Sequence, residues 1–183
     1  MNLLRKLFGI GGEEPSGESH RADDDSVARI VAEIDALDPE QARFVAAFAY
    51  VLGRVAHADQ HVSEAESEKM QQIVMRLGHL PEKQAELVVE VAQHQTQLFG
   101  ATQDFLVTRE FTRLSNPAQR QELLDCLFAV SAADDSITSV EEEQIRQIAT
   151  ELGFSHPQYI AARSAYSDKR EVLRGLPGTD RDA

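Results

Sequence analysis

From Ser26 onward the apolar residues recur at spacings of three and four, the period of a helix that buries one face. No two-residue alternation of the kind that marks a strand persists anywhere in the chain. The pattern starts a helix at Asp25 or Ser26 and carries it to Leu37. Asp38-Pro39 sets an N-cap before a proline at the first helical position. That signature opens a helix to about Ala58, with Phe44, Phe48, Val51, Leu52 and Val55 as its apolar stripe. Pro81 opens a third long helix bearing Leu87, Val88, Val91 and Leu98, and Gly100 ends it. Ala101 to Leu114 forms another. Asn116-Pro117 repeats the cap and proline before Leu123, Leu124, Leu127 and Phe128, and Ser155 to Asp168 supplies the last helix. The pattern describes an all-α bundle.

One stretch occurs twice. ADQHVSEAESEKMQQIVMRLG, Ala58 to Gly78, aligns without a gap on ADDSITSVEEEQIRQIATELG, Ala133 to Gly153, 75 residues later, with eight of 21 positions identical. Both copies hold the S/T-x-x-E capping box, Ser63 with Glu66 and Thr138 with Glu141, in which each side chain satisfies the other residue's backbone N–H. Val62 and Ile137 precede the caps as hydrophobic staples. Gly78 and Gly153 are expected to supply the left-handed residue that closes each helix. Two equivalent helix–corner–helix units imply an internal duplication.

Folding alone accounts for the Ser/Thr, Glu, Ile, Leu and Gly of the repeat, and leaves Asp59 and Asp134 over. Each falls at the end of a helix, where the macrodipole disfavours a negative charge. Either the carboxylate accepts N–H groups of its own loop, or it faces a cation or a basic group of a partner. An EF-hand is excluded. With Glu141 as the closing ligand, loop positions one and three would be Val130 and Ala132, and in the first copy Val55 and His57. His57 and His61 stand at i, i+4, but Ala58 occupies the place of the zincin glutamate and the second copy has no histidine there. No phosphate loop or nucleophile elbow is present, so catalysis has no positive support.

Composition and charge narrow the partners. The chain has 183 residues, 42% hydrophobic, with no Trp and 6% aromatics, which points to an aliphatic core. Its net charge of -13 repels nucleic acid and favours cations or basic protein surfaces. The single cysteine, Cys126, fits a reducing compartment and sits in the apolar run LLDCLFAV as a buried, inert thiol. No segment reaches the roughly 18 apolar residues of a membrane span. Residues 1-25 read as an amphipathic start followed by an acidic flexible linker, GGEEPSGESHRADDD. Leu3, Leu4, Leu7 and Phe8 share one helical face opposite Arg5 and Lys6, a pattern open to weak peripheral membrane contact through residues 1-10. Residues 26-168 form the folded domain and 169-183 a loose tail.

In these motifs the chain resembles the TerB-like family of tellurite resistance, a domain type related to one in DjlA-like membrane co-chaperones. The residues that carry the resemblance are two helices ending in Ala-Asp (RVAHAD and VSAAD), each followed by an apolar residue, a Ser/Thr cap and Glu (VSEAE and ITSVE). A helix closing in Leu-Gly follows each, and LGFSHPQYIAARSAY looks like the closing helix of the family. The match covers approximately Pro39 to Tyr166. It implies a compact bundle of about seven helices in two pseudo-symmetric halves with an acidic surface. It also implies non-enzymatic work in tellurite resistance or a related stress response, in the cytoplasm or peripheral to the inner membrane. Contacts with protein partners follow, an inner-membrane protein of the resistance system among them. Carried onto this chain, the acidic positions are Asp59, Glu66, Asp134 and Glu141, with Asp135 and Glu142 extending the second corner. Divalent metal binding enters as the alternative, through Asp59 and Asp134. Where the family often has Gly after the Asp, this chain has Gln60 and Asp135.

Overall fold

The computed structural model describes residues 21–56, 64–99, 104–134 and 136–169. Among them lie nine α-helices and no strand. They are α1 (Arg21–Asp35), α2 (Pro39–Ala56), α3 (Glu64–Leu77), α4 (Glu82–Gln93), α5 (Gln95–Phe99), α6 (Asp104–Leu114), α7 (Pro117–Ser131), α8 (Ser139–Glu151) and α9 (His156–Ser164). Short 3-10 turns follow α7 (Ala132–Asp134) and α9 (Ser167–Lys169).

The bundle is built around α2. Its run Val45 to Val55 is buried without interruption, on every face rather than along one stripe. A helix apolar all round belongs at the centre of a bundle, and α4, α6, α7 and α8 pack around this one. Phe44 and Phe48 meet Phe111 of α6, with ring centroids 5.3 Å and 5.9 Å apart. Burial of such side chains contributes about 1.5–3 kcal/mol each and decides the arrangement of the layers.

The duplication is visible in the helix boundaries. α2 ends at Ala56 and α7 at Ser131, and α3 starts at Glu64 and α8 at Ser139, each pair 75 residues apart. The two units pack crosswise, α2 against α8 and α3 against α7.

Local chemistry sets most ends. Asp38 accepts the Glu40 N–H at 3.1 Å, and Asn116 and Gln119 exchange bonds at 2.9 Å in a capping box before Pro117. Gly153, at φ 87°, closes α8 with the Gly153 N–H on the Thr150 carbonyl and the Phe154 N–H on the Ala149 carbonyl, a Schellman motif.

Three expectations require correction. The helix opened by Pro81 does not run unbroken to Gly100. His94 leaves helical geometry (φ -99°, ψ 20°), its Nδ1 bonds the Glu90 carbonyl at 2.9 Å, and the chain restarts as α5. The first helix begins at Arg21, inside the segment read as linker. Gly78 is not the left-handed residue of the first unit; that role falls to His79, at φ 51°. Gly78 is buried instead, and a Cβ there would lie 2.6 Å from the Val74 carbonyl oxygen, 3.2 Å from the Phe48 ring and 3.4 Å from the Cys126 sulfur. The close approach of the Val74 carbonyl of α3, with Phe48 of α2 behind it, explains this glycine.

Candidate functional site

The second acidic corner leads into α8. Thr138 Oγ1 accepts the Glu141 N–H at 3.2 Å, and Glu141 accepts the Thr138 N–H at 2.8 Å and its hydroxyl at 2.7 Å. Glu141 is therefore committed to the cap. The adjacent Glu142 is committed to packing: Arg163 of α9 donates to its carboxylate at 2.9 Å, and the Tyr159 hydroxyl donates to its carbonyl at 3.3 Å. The Arg163 guanidinium also lies over the Tyr159 ring at 5.6 Å. This latch fixes α9 to the first turn of α8. Glu143 faces outward and pairs with Arg146, whose guanidinium holds its carboxyl below the usual range.

Glu66 is half-buried in the first turn of α3. Asp134 ends the 3-10 turn Ala132–Asp134, and only its backbone is described. Asp59 and Asp135 lie outside the described residues, together with His57, His61 and Ser63. The structure thus brings Glu141 and Glu142 together, in roles that hold the fold, and leaves the Asp59/Asp134 pairing unaddressed. Among the described residues, no group of three or more His, Cys, Asp or Glu side chains is arranged to hold a metal ion.

A second polar constellation was not foreseen. Arg54 of α2, 3% exposed, donates from Nη1 to Glu151 of α8 at 2.6 Å and to the Thr108 hydroxyl of α6 at 2.7 Å. Its Nε lies 3.4 Å from the Asp104 carboxylate, which in turn accepts the Tyr50 hydroxyl at 2.8 Å. Burial pushes the Glu151 carboxyl up, but the bond and charge of Arg54 outweigh it and leave the group below the usual range. Burial, then Asp104, push the Tyr50 phenol up to about 12. The one available sequence signal was a lone arginine in the apolar run AYVLGRVA.

Between α3 and α7 the surface opens into a cleft of about 450 Å³. Ile73, Leu77, Ala129, Ala133 and Tyr166 line it, and Tyr166 stacks on Phe128 with ring centroids 5.5 Å apart. Lys69 and Arg76 stand at its rim, exposed, and neither pairs with a carboxylate among the described residues.

Fold and surface together define an all-helical domain with a duplicated helix–corner–helix unit and an acidic surface. No described helix is long and apolar enough to cross a membrane. The sequence model of one family, described as "Tellurite resistance protein TerB", matches residues 45–164, and the chain belongs to that family. Neither a curated protein nor a solved structure matches the chain.

Proposed function

We propose that this chain is a non-enzymatic interaction module of a tellurite-resistance or related stress response, docking a protein partner at the cytoplasmic face of the membrane through its acidic corners. The observation that supports this reading is the -13 charge combined with a duplicated acidic motif whose aspartates the helical pattern and the capping boxes leave over. Family membership supports the link to tellurite. The networks around Arg54 and Glu142 are read as structural, since both join helices of the bundle.

The capping and latch roles of Glu141 and Glu142 govern how the reading is tested, because reversing their charge would loosen the fold as well as the surface. Asp134→Asn with Asp135→Asn, and Asp59→Asn, are the informative changes. Cells lacking the chain should lose tellurite tolerance, with wild type restoring it and the Asn variants failing at equal protein level. In-cell crosslinking should capture a protein partner on the wild type and lose it on the same variants. Unchanged tolerance in the deletion, or full rescue by the Asn variants, would overturn the reading.

A further inference from the structure

The residues that α3 presents to the cleft have aligned copies on α8, 75 residues later, and the two sets differ in burial. Ile148 and Leu152 of α8 are buried, and Glu151 beside them meets Arg54 of α2. Their counterparts on α3, Ile73 and Leu77, are only half-buried, and Arg76, at the Glu151 position, is exposed. Ala129 of α7 stands at the Arg54 position. One unit therefore buries an ion pair where the other has a methyl group and a cation of inverted sign.

A third helix completes the contact between α2 and α8. α6 packs on both, its Asp104 reaches Arg54, and Val107, Thr108 and Phe111, three, four and seven residues further on, are buried. Between α3 and α7 the corresponding place is the open cleft of about 450 Å³. Its charge is unlike that of the chain as a whole. On a protein of net charge -13, Lys69 and Arg76 stand exposed at its rim and pair with no carboxylate among the described residues. Arg29, Arg113, Arg146 and Arg163 are all held by carboxylates. Lys69 and Arg76 are seven residues apart on α3, two turns of helix, so they share one side at a separation of about 10 Å along the axis.

We propose that the cleft is a docking site for an acidic amphipathic helix of a partner protein, seated over α3 and α7 as α6 sits over α2 and α8. Apolar walls from two helices take the apolar face of a third, the helix-in-groove mode of recognition. The cationic rim fixes the sign of the helix that enters. Its pattern follows α6: a carboxylate, for Arg76 or Lys69, then apolar side chains three, four and seven residues on for Ile73, Leu77 and Ala129. This surface is separate from Asp59, Asp134 and Asp135, so it does not depend on the role proposed for them.

The test is selection on the full chain from a displayed library of helical peptides of about 15 residues, randomised on one face. The peptides recovered should carry Asp or Glu with apolar residues at those spacings. Selection on Lys69→Glu, Arg76→Glu should return Lys or Arg in place of the carboxylate; both positions are exposed, so the exchange leaves the core intact. A peptide selected on the wild type should bind that double variant about tenfold more weakly. Ala129→Leu, which fills the cleft and leaves the charge alone, should also weaken it, and Asp134→Asn, Asp135→Asn should not. Recovery of no peptide, of peptides without a charge preference, or of peptides indifferent to the rim and cleft variants would overturn the proposal. So would a dimer of the chain that the rim variant splits, since the occupant would then be a second copy. Binding that appears only after Val172→Asp and Leu173→Asp would also overturn it, by making the chain's own tail the occupant.

Discussion

Arg54 and Glu151, 97 residues apart in sequence, meet at 2.6 Å with their side chains 3% and 9% exposed. The pair joins α2 to α8, and the bond from the same Nη1 to Thr108 brings in α6, while the buried charges contribute modest net stability. Removing one partner is another matter. Arg54→Met leaves a buried carboxylate uncompensated and should cost about 3–5 kcal/mol in urea unfolding. The double variant Arg54→Met, Glu151→Met should be less costly than the sum of the singles. Additive losses would mean that the two groups are not coupled.

The same pair gives the fold an acid-side dependence. The folded Glu151 carboxyl lies below its ordinary value of 4.5, so its stabilisation is complete above that value. It is lost as pH falls through the depressed folded value. Glu151→Gln should flatten the decline of stability below pH 4.5 relative to wild type; an unchanged slope would assign the decline to other carboxylates.

At the alkaline end the direction reverses. Tyr50 titrates at about 12 when folded against 10.0 ordinarily, so the neutral phenol stabilises the fold below pH 10 and that contribution fades between the two values. Tyr50→Phe should reduce the steepness of alkaline unfolding.

The aligned glycines should fail differently on substitution. Gly153 has open space around the Cβ position, so Gly153→Ala carries only the left-handed penalty, about 1–2 kcal/mol, and Gly153→Asn should cost less. Gly78→Ala drives its Cβ against the Val74 carbonyl, 2.6 Å away, as well as against Phe48, and should cost about 1–3 kcal/mol. Cys126→Ala should recover little of that loss, since the Val74 carbonyl stays in place. Full recovery would dismiss the backbone contact as its cause.

Cys126 should behave as a core residue. Burial, with the carboxylates of Asp125 and Glu122, pushes its thiol up to about 12. At pH 8 a thiol reagent should therefore react only as fast as the protein opens, and promptly in denaturant. Rapid labelling of the native chain would contradict the burial.

Much of this protein is readable along the chain because it depends on neighbours in sequence. The helical period, the Asp38 and Asn116 caps, the Thr138–Glu141 box and the left-handed Gly153 each involve residues within about one turn of one another, where backbone hydrogen bonds and rotamers are decided. The 75-residue repeat is equally a property of the sequence, and it foretold two matching helix–corner–helix units. Tertiary structure alone decided what identical letters do. Gly78 and Gly153 occupy matching positions, yet one is there for the atoms that crowd it, the Val74 carbonyl and the Phe48 ring, and the other for its own φ. Arg54 reads as a flaw in an apolar helix until α6 and α8 bring Thr108, Asp104 and Glu151 to it. Burial, the pairing of charges and the opening left between α3 and α7 depend on which surfaces exclude water together, and chain neighbours do not determine that.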